Sequence, residues 1–220
     1  MDQIILVDKP AGITSFGVVA RVRRVLSKQV GHKVKVGHTG TLDPFATGLL
    51  ILLTGKNTKK SDDFLKKDKC YEATLRLGAT SFTGDPEGEI TTKNPAPTPP
   101  TKAQIEAVLA KFTGKISQKV PAFSAVKING QRAYKLVRQG KPVETPTRQV
   151  QIYQIDLIDY DYPKLKIRSH VSSGTYIRTL AEDIGQALGT GAYLTALNRS
   201  KIGEYDLASA KSLDQILDEI

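Results

Sequence analysis

Residues 37–48 read Gly37-His38-Thr39-Gly40-Thr41-Leu42-Asp43-Pro44-Phe45-Ala46-Thr47-Gly48. One carboxylate, Asp43, sits in this run of small residues, with Val34 and Val36 on one side and the apolar stretch 49–53 on the other. A proline after Asp43 biases the aspartate toward extended backbone, and Gly37, Gly40 and Gly48 permit close backbone approach or positive φ. A carboxylate presented in this way can attack as a nucleophile, stabilise a developing cation or take part in proton transfer. Asp-Pro also begins ordinary turns, so the chemistry must be supported by what surrounds the loop. Buried strands on either side would hold it rigidly, as catalytic loops require.

The elements that would do this are legible in the pattern. Residues 4–7 read as a short strand, and Pro10, Gly12 and Thr14 lead into a helix that Ser15 is placed to cap. Val18, Val22, Val25 and Leu26 share one face of that helix. Arg21, Arg23, Arg24 and Lys28 lie mostly elsewhere, which suits either a solvated face or phosphate contact. From Cys70 to Leu77, Tyr71, Ala73, Leu75 and Leu77 alternate with polar residues, the period of a half-buried strand. Residues 84–88 form a turn and 94–100 a proline-rich connection. Thr101 and Gln104 have capping-box spacing for a helix ended by Gly114. Residues 150–157 and 165–171 read as an antiparallel pair, followed by a turn at 172–174 and a helix from about Thr175 to Leu188. Arg178 falls in that helix's first turn, where a cation opposes the macrodipole, and such a local conflict points to function. Residues 193–197 and 202–207 are short strand candidates.

Composition narrows the chemistry. The 220 residues suffice for one full core with a lobe or insertion, and Lys+Arg 32 against Asp+Glu 22 gives a net charge of +10. That field suits a phosphate-rich partner, with nucleic acid ahead of an anionic membrane surface. No apolar stretch is long enough to span a bilayer, and the short apolar run near the start has no basic segment ahead of it, so a cytoplasmic protein without a membrane partner is expected. Cys70 is the single cysteine, which excludes an intrachain disulfide and a thiolate zinc cage. His32, His38 and His170 are too scattered for a metal site, and Gly55-Lys56 lacks the glycine of a phosphate loop. Chemistry without metal or cofactor is expected.

Residues 115–148 are strongly basic. Lys115, Lys119, Lys127, Arg132, Lys135, Arg138, Lys141 and Arg148 face Glu144 alone, with Phe123 and Tyr134 interspersed. Cations with flat rings suit a surface that tracks a backbone and stacks bases; the alternative is an exposed loop with a basic bias.

The loop 37–48 resembles the catalytic motif of the TruB family of pseudouridine synthases. Further segments resemble that family in the same order. Asp8-Lys9-Pro10 with Gly12-Ile13-Thr14-Ser15 is similar to its N-terminal motif, and 71–78 to its tyrosine-bearing strand. Thr83-Gly84-Asp85 with Gly88 is similar to the following turn, 121–127 with Gly130, Ala133 and Tyr134 to its RNA-gripping insertion, and 174–178 to its arginine motif. The resemblance covers nearly the whole chain. It implies an α+β fold, a long mixed and mostly antiparallel sheet with flanking helices, organised as one catalytic domain over 1–220 with an RNA-binding insertion at 115–148. It also implies a substrate, the uridine at position 55 in the T loop of transfer RNA, and neither cofactor nor guide RNA; a monomer is the simplest expectation. Two departures stand out. Phe123 replaces a tyrosine frequent in the family, removing one hydroxyl contact, and nothing up to Ile220 resembles the family's small C-terminal PUA-type domain.

Roles follow from the resemblance. Asp43 would act on the uridine, with Arg178 as the guanidinium that keeps it ionised in a water-poor site. Tyr71 would supply a ring against the base, which must leave its stack to react. His38 would hold the flipped conformation, or else order the loop by a hydrogen bond. Phe123, Lys127, Arg132, Tyr134 and Arg138 would contact RNA, and Lys9 would either contact RNA or play a supporting, structural role. Asp85, Gly40 and Pro44 would support the site. The competing readings are an RNA-binding module without turnover, a guide-dependent pseudouridylase and a glycosidase using Asp43 and Asp85. A glycosidase leaves the basic insertion and Arg178 unexplained, and a zinc deaminase is excluded by the cysteine count.

Overall fold

The computed structural model describes residues 2–93, 97–128 and 130–220. Residues 94–96 of the proline-rich connection therefore lie outside the described residues. The chain forms two compact units, Met1–Glu72 with Ala196–Ile220, and Ala73–Thr195. The strands Lys69–Leu77 and Ala192–Ile202 pass from one unit into the other. The architecture is α+β, with a mixed sheet flanked by helices.

In the first unit, the strand Ile4–Lys9 pairs antiparallel with Thr47–Thr54 and parallel with Lys211–Ser212. Thr47–Thr54 is apolar without alternation because both of its faces are covered. Leu50 and Leu52 pack with Val7 against Val18, Val19, Val22 and Leu26 of the helix Ser15–Val30, joined by Leu213 and Ile216 of the helix Leu213–Glu219. Leu49, Ile51 and Leu53 pack on the opposite face with Phe64 and Ile202.

The second unit is built on the strand Thr147–Asp161, antiparallel to both Lys164–Val171 and Gly114–Lys119. Residues from Lys69 to Leu77 alternate in burial as the period-two pattern requires. Thr101 and Gln104 form the expected capping box, but the helix Lys102–Phe112 ends at Thr113, and Gly114 opens the next strand. The later helix spans Ile177–Ala187. The two strand candidates at 193–197 and 202–207 prove to be one long strand, Ala192–Ile202, followed by the short Tyr205–Asp206. Polar residues 198–201 hid its continuation because strand pairing, not side-chain hydrophobicity, carries that stretch. Among the described residues no helix is long and apolar enough to cross a membrane.

Candidate active site

The Asp43 loop is anchored at both ends by strand pairing. The strand Val36–His38 lies antiparallel to Thr47–Thr54, with Gly37 opposite Leu53 and His38 opposite Leu52. The Thr39 amide continues the ladder to the Ile51 carbonyl at 3.0 Å. Between these ends the backbone is held by three side chains from elsewhere in the first unit. Arg199, 1% exposed, donates from Nε to the Leu49 carbonyl at 2.8 Å, from Nη2 to Gly40 at 3.1 Å and from Nη1 to Thr41 at 3.5 Å. One planar guanidinium therefore ties the segment before Asp43 to the segment after it.

Ser15 grips the residue adjoining Asp43. The Leu42 amide donates to Ser15 Oγ at 2.8 Å, and that hydroxyl donates to the Leu42 carbonyl at 3.0 Å. The helix is capped by Thr14, whose side chain accepts from the Gly17 amide, so the sequence assigned the cap one residue late. Ser15 is the first helical residue, its hydroxyl turned to the loop.

Lys9 is the third brace. Of its two expected roles the structure favours support over RNA contact, because the side chain is 0% exposed and its ammonium donates to the carbonyls of Pro10 and Ile13 at 2.8 Å and of Pro44 at 3.3 Å. A buried cation must be satisfied internally, and these carbonyls hold it inside the wall behind Pro44. The Gly12 amide adds a 2.8 Å bond to the same Pro44 carbonyl. Asp43 is half-buried, and its own carbonyl accepts from the Ala46 amide at 3.1 Å, turning the chain back toward the strand. Nδ1 of half-buried His38 accepts from the Gly40 amide at 3.4 Å, the loop-ordering bond named as its alternative role. Tyr71 occupies a buried position of Lys69–Leu77.

The second unit positions Arg178. It is 6% exposed and makes an ion pair from Nη1 to Asp85 Oδ2 at 3.1 Å, with Nη1 also donating to the Thr83 carbonyl at 2.8 Å and Nη2 to the Phe123 carbonyl at 2.7 Å. Asp85 in turn accepts from Thr83 Oγ1 at 2.5 Å and the Glu87 amide at 3.0 Å. The unfavourable placement of Arg178 in a helix's first turn is offset by this carboxylate. Glu182, one turn along, has its carboxyl pushed up by burial, with the Arg178 charge acting in the other direction.

The basic insertion contains the hairpin strands Lys127–Ile128 and Gln131–Arg132 and the short helix Ala133–Arg138. Lys127, Arg132 and Arg138 are exposed, and the Arg138 guanidinium lies 5.8 Å from the Tyr134 ring centroid. Phe123 meets Phe82 edge-on at 5.4 Å, and Phe82 is 72% exposed. The hydroxyl of Ser124 is buried without a hydrogen-bond partner among the described residues.

Arg199 and Phe82 escaped the sequence reading. The signal for Arg199 was present: it shares strand parity with buried Leu197, so period two puts it on the inward face. Phe82 carried no signal beyond its neighbour Thr83.

A family model described as "TruB family pseudouridylate synthase (N terminal domain)" matches residues 23–177, and one described as "tRNA pseudouridylate synthase B C-terminal domain" matches 178–220. The tRNA pseudouridine synthase B of Cupriavidus pinatubonensis is 46% identical over 216 residues, 97% of this chain and 66% of that protein. Its counterpart from Phocaeicola vulgatus is 44% identical over 221 residues, 99% of this chain and 94% of that protein. The chain thus spans 66% of the length of the first of these relatives. Among solved structures, an H/ACA RNP bound to a substrate RNA containing 2'-deoxyuridine matches with TM-score 0.72 and 26% identity, over 98% of this chain and 52% of that one. A Cbf5-Nop10-Gar1 complex matches with TM-score 0.73 and 28% identity, over 98% and 53%.

Proposed function

Since the chain belongs to the TruB family of pseudouridylate synthases, we propose that it isomerises uridine to pseudouridine at position 55 in the T loop of transfer RNA, in the cytoplasm, as a monomer and without cofactor or guide RNA. The observation that carries this reading is the grip of Arg199, Ser15 and Lys9 on both sides of Asp43. It gives the family's carboxylate the fixed placement that chemistry on a flipped base requires.

The reaction breaks the bond from C1′ to N1 and forms one from C1′ to C5. The C5 hydrogen leaves to water and N1 gains a proton, so nothing is oxidised. In this reading Asp43 acts at C1′ or C6 of the uridine. Arg178, oriented by Asp85, is the guanidinium that favours the ionised carboxylate. Tyr71 offers a ring to the base, and His38, Phe123, Lys127, Arg132, Tyr134 and Arg138 hold the RNA, Phe123 by stacking. Lys9, Asp85, Gly40 and Pro44 brace the site. The single catalytic domain over 1–220, with its RNA-binding insertion at 115–148, belongs to the same proposal.

Tritium release from C5-labelled uridine tests it, using purified chain and an unmodified tRNA transcript. Wild-type chain is expected to release tritium without guide RNA or protein partners. Asp43→Asn is expected to bind the transcript and release none. Substantial single-turnover release by Asp43→Asn refutes the assignment of the carboxylate. Absence of release by wild type, with binding intact, favours an RNA-binding module.

A further inference from the structure

The far half of the helix Ser15–Val30 and the turn after it form a groove lined by Arg23, Arg24, Lys28, His32 and Lys33 with no acidic residue. A second groove shares His32 and Lys33 and adds Lys35, Lys56 and Lys59. Its one acidic residue, Asp2, accepts from the Lys56 amide at 2.7 Å. Among the described residues none of these lysines and arginines makes an ion pair; Arg23 lies 5.7 Å from the centroid of the exposed Phe16 ring. We infer that this continuous cationic surface binds the sugar-phosphate backbone of the substrate tRNA outside the T arm. The inference rests on the tRNA reading above.

Two features favour a polyanion over simple solvation. Cations crowded with Asp2 as the one acidic residue lining the two grooves repel one another, a cost that phosphates reduce. The helix dipole accounts only for Lys28, which lies in the last turn; Arg23 and Arg24 are mid-helix, and Lys56 and Lys59 belong to the separate helical turn Gly55–Lys60. The surface is also fixed relative to Asp43. The helix is pinned to the loop through Ser15 and Leu42, which puts Arg23 to Lys28 about 12–20 Å along the axis from that anchor. Lys35 is joined to His38 by the strand Val36–His38, a span of about 10 Å. These spacings are too long for the reacting nucleotide and leave the surface free to meet backbone elsewhere in the tRNA.

The test compares binding of a full tRNA transcript and an isolated T-arm hairpin as salt is varied. Two neutralised variants are used, Arg23→Gln/Arg24→Gln/Lys28→Gln and Lys33→Gln/Lys56→Gln/Lys59→Gln. For at least one of them full tRNA is expected to bind about tenfold more weakly near 0.1 M salt, with a log–log slope shallower by about 2. Hairpin affinity should stay within twofold, and the loss should fall on KM rather than on the tritium-release rate at saturating tRNA. Unchanged affinity and slope in both variants overturn the inference. So does equal loss for the hairpin, or wild-type binding to anionic lipid vesicles in preference to tRNA. A slope change in these variants beside a wild-type chain that binds tRNA yet releases no tritium sinks the enzymatic reading and leaves this surface standing.

Discussion

Arg199 and Gly48 share one register position of neighbouring parallel strands, and a Cβ built on Gly48 would stand 2.5 Å from the Arg199 carbonyl oxygen. Gly48 also has φ +100°. Gly48→Ala therefore combines a backbone clash with a strained dihedral and is expected to cost about 2–4 kcal/mol in urea unfolding. A cost below about 1 kcal/mol would mean the two strands separate easily there.

On the proposed function, the contacts of Arg199 with the Asp43 loop are expected to show in rate. Arg199→Lys keeps the charge but not the fork that reaches Gly40, Thr41 and Leu49 together. Its single-turnover rate should fall at least about tenfold, about 1.4 kcal/mol of barrier, with KM within about threefold. An unchanged rate in a folded Arg199→Lys protein would make the clamp irrelevant to catalysis.

Thr14 and Ser15 separate capping from bracing. Thr14→Ala removes the cap and should cost about 1 kcal/mol without slowing turnover. Ser15→Ala leaves both polar groups of Leu42 without that hydroxyl and should cost about 1–3 kcal/mol. It should also slow turnover, because Leu42 adjoins Asp43. Equal rates for the two variants would contradict the division of labour.

The pair of Arg178 and Asp85 is buried on both sides. Truncation to Asp85→Ala strands a guanidinium and should cost about 3–5 kcal/mol, while Asp85→Asn, which keeps an acceptor, should cost less. Thermal and urea unfolding of the two variants distinguishes an orienting pair from an ornamental one.

Lys69 gives stability a pH signature. Burial, reinforced by the Arg199 charge, brings its ammonium down from 10.5 to about 8. Between pH 8 and 10.5 the unfolded chain keeps a proton that the folded chain has released. Stability should therefore rise with pH across that window. Relative to Lys69→Met, the wild type should gain roughly 1–2 kcal/mol there, below the full value of the shift because solvent screens part of it. A flat difference between the two unfolding curves from pH 7.5 to 10 would refute it.

Much of this was legible in the chain. Asp43 lies in a loop between two strands because the flanking residues are apolar and the loop residues small. The alternation around Tyr71, the capping box at Thr101 and the basic hairpin segment also follow from local pattern. Lys9 leaves RNA contact and structural support both open, because lysine is rarely buried; only the carbonyls folded around it decide for support. Ser15 and Thr14 both suit a cap, and local sequence does not say which hydroxyl the loop will claim.

The sequence by itself determined the family, the glycine-rich loop and the carboxylate it carries, since these rest on residue types at short spacing. Tertiary structure alone decided what holds them. Arg199 stands 156 positions from Asp43, and Asp85 is 93 from Arg178. Contacts across such separations arise from strand register and helix packing, which bring donors to carbonyls that no local pattern connects.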